Sequence, residues 1–352
     1  MAKSSVMTCA FTVDDVRAQH RRTLVSLGRY RRLSDYVTSA LLFLQANVLL
    51  RGELTEGDLR RVLPDSWFGT PAMGVLYAHL NRLHRDHAEQ MLLVTSMPMA
   101  PIAHLANLWI EGGTAARYGA NGGGLLHLAE KLDEALATFA GCVRDDATAD
   151  AALAQALLAV DKVAGTVVCA VDVSRGTSRY LDGAAPLMRT SRGVVLPILL
   201  QQGRLGATPG YAAMDDDERT AVLQEMGYAV RTVEIGLQFE ARLYTTLEWA
   251  WHTAHGEPLA EESASTGHPL IVLKIPRSLT MPASLASQLD RSPASFLDAL
   301  RGEVDLLEMF RNWLDGYLPD ELVETDGCPD KDILALCAAG EERLARMRCG
   351  LT

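Results

Sequence analysis

The chain has 352 residues, of which 48% are hydrophobic and 22% charged, and this size allows one large α/β domain or two smaller ones. Its formal net charge of -11 argues against a nucleic-acid partner, because phosphate backbones bind basic surfaces. No stretch approaches the ~18 consecutive apolar residues of a transmembrane helix, so we expect no membrane partner.

Cysteine usage and the N-terminal residues indicate a compartment. The six cysteines are scattered without a CxxC pair, a spacing that fits neither a zinc site nor a disulfide framework. The opening stretch MAKSSVMTCAFTVDD is too polar for a signal peptide, and its acidic residues come too early in the chain. The sequence therefore predicts a protein of the reducing cytoplasm.

The first predicted elements are helical. Residues 13–50 have a helical pattern with a break near Gly28, and a threonine cap with early acids predicts a short helix over residues 55–64. A longer helix then leads to MLLVT, Met91 to Thr95, an apolar run typical of a buried parallel strand. The next helix is predicted to end at Gly112.

Strands and helices alternate in the middle of the chain. Apolar runs predict four more buried strands, at residues 165–171, 194–200, 228–235 and 269–275. The intervening helices imply right-handed βαβ crossovers, so the predicted fold class is α/β, a doubly wound parallel sheet with helices on both faces. The pattern after this region is wholly helical. We expect one compact unit with a helical N-terminal extension, an α/β domain and a helical C-terminal extension, at residues 1–62, 63–276 and 277–352.

Most short motifs in the chain have a plain structural interpretation. There is no GxGxxG after a strand and no GxxxxGK[ST], so dinucleotide and P-loop sites are unsupported. The glycine-rich residues 119–124 are able to surround an anion with N–H groups, but a surface loop is the simpler interpretation. His252 and His255 lack a third ligand and are interpreted as solvated, whereas His104 and His127 have the apolar neighbours of hydrogen-bonded core histidines.

Asp172 is a lone carboxylate at the predicted carboxyl end of the second strand. This edge of an open α/β sheet is where ligands bind. Its neighbours are Val171 and Val173, where a ligand-binding turn favours glycine. The sequence alone leaves two interpretations, the remnant of a site or a residue that only ends a strand.

Several blocks resemble the N-terminal domain of the thiamine-diphosphate-dependent phosphoketolases. They are YAHLNRL at residues 77–83, VVLPILLQQG from Val194, IVLKIPRSLTMP from Ile271 and LPDELVETDG from Leu318. The resemblance extends roughly from residue 30 to residue 347. It implies the fold of a diphosphate-binding (PP) domain of a thiamine enzyme.

The resemblance also implies a cofactor site. In thiamine enzymes a strand ends in glycine-aspartate-glycine, an asparagine follows on the next site strand, and their oxygens hold the Mg²⁺ that holds the diphosphate. Asp172 matches the aspartate, Gln202 takes the asparagine's place, and Val171 and Val173 replace the glycines. Valine resists positive φ and is expected to fill phosphate space, so these changes together imply lost or weakened cofactor binding.

Other family site positions differ as well. Ser66 (ahead of Trp67), Met99 and Leu200 stand where the family has histidines, and only His127 matches a family histidine. Each replacement removes a proton carrier or phosphate donor. The resemblance therefore offers His127 as its one catalytic candidate, and Asp172 and Gln202 as degenerate metal and cofactor positions.

Partners are implied by the family's architecture. Thiamine diphosphate is held between a PP domain and a pyrimidine domain, usually of different subunits, and this chain ends near the end of the first. We therefore expect no bound thiamine diphosphate or Mg²⁺ unless a partner chain completes the site. The partner is a pyrimidine-domain chain, an intact phosphoketolase-type chain or a second copy in a homo-oligomer.

Three functional interpretations remain open. The first is a degenerate, partner-dependent subunit that binds or regulates an active phosphoketolase-type chain. The second is half of a split enzyme that moves a ketol unit from a sugar phosphate or related donor. The third is a small-molecule binding protein that uses the old cofactor cleft. A domain that retains the fold but no functional site is a further alternative.

Overall fold

A computed structural model gives the structure of the chain. It describes residues 12–64, 70–95, 101–112, 124–140, 149–160, 162, 165–172, 181–202, 214–236, 238–256, 267–275, 281–325 and 327–337. The chain divides into two compact units. The sheet unit comprises Met1–Leu24, Glu89–Ser96 and Thr148–Lys274, and the helical unit comprises Val25–Ala88, Met97–Ala147 and Ile275–Thr352. The division at residues 62 and 276 stays a prediction.

Fifteen α-helices lie in the described parts of the chain. They are α1 (Val13–Gln19), α2 (Arg21–Phe43), α3 (Thr70–His87), α4 (Pro101–Ile110), α5 (Leu125–Glu130), α6 (Leu132–Ala140), α7 (Ala149–Val160), α8 (Ala184–Thr190), α9 (Asp216–Glu225), α10 (Phe239–Ala254), α11 (Ala283–Arg291), α12 (Pro293–Gly302), α13 (Val304–Asp315), α14 (Pro319–Leu322) and α15 (Lys331–Leu334). None of these helices combines the length and the apolar character needed to cross a membrane.

Five parallel strands form one sheet, and all five predicted strands are confirmed. They are β1 (Met91–Thr95), β2 (Thr166–Asp172), β3 (Val194–Gln202), β4 (Tyr228–Glu234) and β5 (His268–Ile275), in the spatial order β1-β2-β3-β5-β4. The sheet flanked by helices is the thiamine-enzyme PP-domain-like fold that the sequence predicted.

The two faces of the sheet carry different helices. Val167, Cys169 and Val171 of β2 share one core cluster with side chains of α7, α8 and α9. Right-handed crossovers explain this arrangement, because the path from β1 to β4 advances in one direction and places its helices on one face. The return from β4 to β5 places α10, which contacts β3 and β4, on the opposite face.

Two glycines allow strands to start close to a neighbouring backbone. A Cβ atom on Gly165, which precedes β2, would lie 2.2 Å from the carbonyl oxygen of Gln90. A Cβ atom on Gly267, which precedes β5, would lie 2.5 Å from the carbonyl carbon of Tyr228. Any larger residue at these positions must move the backbone, so the amino ends of these strands depend on glycine.

Two helix predictions for the N-terminal region are wrong. The helical pattern breaks at His20 rather than at Gly28, which lies inside the unbroken helix α2. A helical glycine costs ~1 kcal/mol, and the buried side chains around it offset that cost. Residues 55–64 contain only a 3₁₀ turn at Glu56–Asp58, because Leu59 forms a β-bridge with Leu44.

The helical unit joins α2 to the C-terminal part of the chain. Phe43 at the end of α2 packs edge-on against Phe296, Phe310 and Trp313. Arg29 donates hydrogen bonds to the Glu321 carbonyl oxygen (2.7 Å) and to Asp332 (3.2 Å), and it lies 3.1 Å from Asp330. Arg51 donates to the Thr325 carbonyl oxygen at 2.7 Å. These contacts attach the segment around α14 and α15 to α2.

Candidate functional site

Asp172 is the last residue of β2 and lies in the sheet unit. Its register partner on β3 is Leu200, and the two residues are 5% and 0% exposed. Since side chains alternate along a strand, Asp172 points to the face opposite Val171. Gln202 ends β3 two residues beyond Leu200. The structure therefore places the two predicted metal positions at the carboxyl ends of adjacent strands.

Val171 is an ordinary strand residue. It pairs with Leu199 in the β2–β3 ladder, and its side chain is 2% exposed within the core cluster under α7 to α9. The expectation that Val171 fills the space beside Asp172 is therefore wrong, because the extended backbone turns its side chain to the other face. Where the resemblance implies a family glycine, this chain has Val171, a paired residue of β2.

The remaining positions of the family pocket are described only in part. Leu200 is fully buried directly across from Asp172, so an apolar side chain occupies this position of a family histidine. Val173, Ser66, Trp67 and Met99 lie outside the described residues. The assignment of Asp172 and Gln202 as cofactor and metal positions stays a prediction.

His127 belongs to the helical unit and is not a core residue. Its side chain is 46% exposed on α5, and its Nδ1 lies 4.0 Å from a Glu130 carboxylate oxygen. The prediction of a hydrogen-bonded core histidine is wrong here, because Leu125 and Leu128 supply the buried face of this short helix. A catalytic role for His127 stays a prediction.

His104 is hydrogen-bonded, as predicted, and is partly buried between α3 and α4. Its Nδ1 lies 3.0 Å from the Tyr77 hydroxyl oxygen, which joins α4 to α3. Desolvation by burial lowers the pKa of His104 to about 4, because the charged imidazolium is disfavoured away from water. The ring is therefore neutral near pH 7.

The YAHLNRL block forms part of the core of the helical unit. Its polar residues His79, Asn81 and Arg82 are 1%, 3% and 0% exposed. The Asn81 side-chain amide donates a 2.7 Å hydrogen bond to the carboxylate of Glu111, which is itself 7% exposed. A buried carboxylate needs such donors. The block that carries the family resemblance therefore holds α3 against the end of α4.

Sequence reasoning missed a polar cluster at the amino-end edge of the sheet. The Glu89 carboxylate accepts hydrogen bonds from Thr166 Oγ1 at 2.9 Å and from Trp251 Nε1 at 2.6 Å, and His255 Nε2 lies 3.3 Å from it. His252 Nε2 lies 3.8 Å from Glu248. The prediction that His252 and His255 are merely solvated is wrong, since each has a carboxylate partner.

The sequence pattern predicts only one of the contacts in this cluster. The i, i+4 spacing of Glu248 and His252 on one helix predicts a neighbouring pair. The partnership of Glu89 with His255 depends on two elements far apart in sequence. A single sequence does not contain that contact.

The comparisons with known proteins agree with the family that the sequence predicted. Residues 19–143 and 175–350 match the family model described as the XFP N-terminal domain. A probable phosphoketolase of Schizosaccharomyces pombe is 23% identical to this chain over an alignment of 359 residues, which covers 92% of this chain and 42% of that relative.

Two bacterial relatives give similar figures. A probable phosphoketolase of Rhodopseudomonas palustris strain TIE-1 is 26% identical, with 92% of this chain and 44% of the relative covered. Probable phosphoketolase 2 of Rhizobium meliloti is 25% identical, with 90% of this chain and 44% of the relative covered. The chain spans less than half the length of these curated relatives. Because the family model covers most of its residues, the chain belongs to the XFP N-terminal domain family, and the resemblance predicted from the sequence is confirmed.

Proposed function

We propose that this chain is a degenerate phosphoketolase-type PP domain that does not bind thiamine diphosphate productively by itself and acts as a subunit with a partner chain. The observation that supports this proposal is the pairing of Asp172 with the fully buried Leu200 at the strand ends. An apolar side chain there neither moves a proton nor donates to a phosphate.

The donor set around Asp172 fits Mg²⁺ and a diphosphate poorly. Mg²⁺ favours near-octahedral oxygen ligands at short, nearly fixed distances. Of the motif's residues the chain keeps one carboxylate, Asp172, and offers the longer amide of Gln202. The strand continues through Val171, where the family's glycine lets the backbone approach the phosphates. Diphosphate charge brought beside apolar Leu200 would also lose hydration without full compensation.

The proposed partner is a pyrimidine-domain chain or an intact phosphoketolase-type chain, with a second copy of this chain as the other possibility. A PP-like fold supplies the surface that such a subunit recognises, even where its own pocket has lost chemistry. In this proposal the chain binds or regulates the partner in the cytoplasm and contributes no proton-transfer group of its own.

A second candidate function is half of a split thiamine enzyme acting on a sugar phosphate or related donor. Asp172 favours it, because this carboxylate is retained and buried at the sheet edge where α/β folds bind ligands. Asp172, Gln202 and His127 would then serve in altered roles. Use of the same edge by an unrelated small molecule is the weaker third candidate.

Native mass spectrometry of the protein purified from its own host tests these candidates together. We expect a complex with a partner chain that retains no thiamine diphosphate. A complex that carries the cofactor would overturn the first proposal in favour of the split enzyme. A cofactor-free single chain that binds no partner would overturn both.

Mutation of Asp172 separates the two leading candidates within that complex. We expect Asp172→Ala to change any turnover of the assembly by less than about twofold, since no metal depends on the carboxylate. A collapse of turnover in Asp172→Ala with unchanged folding would assign the carboxylate to a working metal site.

A further inference from the structure

The Glu89 cluster joins three elements of the sheet unit. Glu89 precedes β1, Thr166 begins β2, and Trp251 and His255 lie at the C-terminal end of α10. The Glu89 and His255 side chains are 20% and 22% exposed, so water only partly screens their interaction. This one carboxylate therefore attaches the end of α10 to the starts of two neighbouring strands.

Both ring nitrogens of His255 face hydrogen-bond acceptors. Nδ1 lies 2.7 Å from the carbonyl oxygen of Trp251, and Nε2 lies 3.3 Å from Glu89. A carbonyl and an ionised carboxylate accept hydrogen bonds and do not donate them. A neutral imidazole carries one N–H and leaves one of these contacts with two facing lone pairs, whereas an imidazolium satisfies both.

We propose that Glu89 and His255 form a proton-dependent tie, in which protonated His255 fastens the C-terminal end of α10 to the starts of β1 and β2, and loss of that proton weakens this attachment. The charged state is supported further by the Trp251 indole ring, which stacks on the His255 ring with centroids 4.0 Å apart. This tie concerns the fold of the sheet unit and does not depend on the proposed partner or cofactor.

Other titratable groups in the sheet unit lie close to this tie. On α10 itself, Glu248 and His252 form a neighbouring pair, and the His252 ring packs edge-on against Trp251. On the strand side the facing groups are the Glu89 carboxylate and the Thr166 hydroxyl. Glu89 lies within hydrogen-bonding distance of His255, so its negative charge favours the protonated ring.

Protonation of Glu89 weakens the tie at low pH, and deprotonation of His255 weakens it at high pH. Desolvation raises the pKa of Glu89, but the hydrogen bonds from His255, Trp251 and Thr166 outweigh it and hold the pKa below its ordinary value. The contribution of Glu89 to stability is therefore present above its unfolded pKa and is lost as the pH falls through the folded one. The His255 contribution has the opposite sign and is lost as the pH rises and the ring gives up its proton.

Weakening of this tie has a consequence at the opposite edge of the sheet. Helix α10 starts after β4 ends and stops before β5 begins, so it runs from the carboxyl edge back to the amino edge. Its first turn lies at the edge of the sheet where β2 ends in Asp172. A change at the His255 end therefore alters the support of the helix that covers this face.

Nuclear magnetic resonance of the full chain with labelled histidine tests the proposal. In the wild-type protein near pH 6 we expect imidazole nitrogen shifts typical of a doubly protonated His255 ring. The proton affinity of His255 should fall about five- to tenfold in Glu89→Gln, because the amide keeps the size of the side chain but removes its charge. Glu225→Gln, an exposed carboxylate in the same unit, is the matched control and should leave the titration unchanged.

The wild-type spectrum alone is able to overturn the proposal. A neutral His255 ring at pH 6 would do so, even if Glu89→Gln failed to fold. Equal titration midpoints in the wild type and Glu89→Gln would also overturn it.

Amide hydrogen exchange at pH 6 and pH 8 then supplies the conformational readout, and we expect faster exchange at the end of α10 at pH 8 after correction for the intrinsic rate. Equal corrected rates would contradict the weakening of this attachment.

Discussion

The contact between α3 and α4 and the carboxyl ends of β2 and β3 both carry family residues, but their surroundings differ. In the first region Asn81 and Glu111 form a buried hydrogen-bonded pair inside the helical core. In the second, Asp172 is the last residue of β2 and stands opposite the buried Leu200. A family resemblance is therefore carried here by residues that pack. Membership alone does not report on the chemistry of the strand ends.

The largest expected effect is that of removing the buried amide. Asn81→Ala should lower the free energy of unfolding by about 3 kcal/mol, because it leaves the Glu111 carboxylate buried without this donor. Urea unfolding followed by circular dichroism measures the change. Asn312→Ala, an exposed asparagine on α13, is the control and should change stability by less than about 0.5 kcal/mol. A loss below about 1 kcal/mol in Asn81→Ala would contradict a packing role for the YAHLNRL block.

The next effect concerns acid stability of the same region. With a folded pKa of about 4 and a higher unfolded pKa, His104 binds a proton more tightly in the unfolded chain, so stability falls as the pH falls between these values. We expect this residue to account for about 2 kcal/mol of the stability lost between pH 7 and pH 5. The pH dependence of unfolding should therefore be flatter by that amount in His104→Asn. Identical pH profiles for the two proteins would show that His104 is not held neutral.

The smallest expected effect on stability is that of replacing His127. His127 matches a family histidine, yet it is exposed on a short helix. His127→Ala should alter the free energy of unfolding by no more than about 0.5 kcal/mol, measured by the same urea titration. A destabilisation several times larger would mean that this side chain makes a structural contact that its exposure does not suggest.

Much of the fold was predictable because its signals are local. Buried parallel strands are continuous apolar runs, and all five were identified from such runs. Helix α9 was marked by acidic residues in its first turn and by Gly227 as a stop, and Asp215 does form a capping box with Glu218. The predictions that failed were decided by tertiary contacts, such as the bridge that draws Leu59 to Leu44.

The strand ends that carry Asp172 and Gln202 were predictable, but the directions and contacts of the side chains around them were not. The end of an apolar run located Asp172, and the resemblance located Gln202, at adjacent strand ends. The direction of Val171 depended on how far β2 continues, which composition does not reveal. The Glu89–His255 contact joins residues 166 positions apart, so no local pattern contains it.

The attachment of α2 to the C-terminal segment also bears on how the protein is made. The partners of Arg29 are synthesised 292 and 303 residues after it. At ribosomal speeds of about 5–20 residues per second, that interval is roughly 15–60 s. For most of that interval the aromatic end of α2 at Phe43 also lacks Phe296, Phe310 and Trp313. The nascent helical unit therefore exposes an apolar surface until these residues have been synthesised, so its folding yield in a cell should depend on chaperone supply.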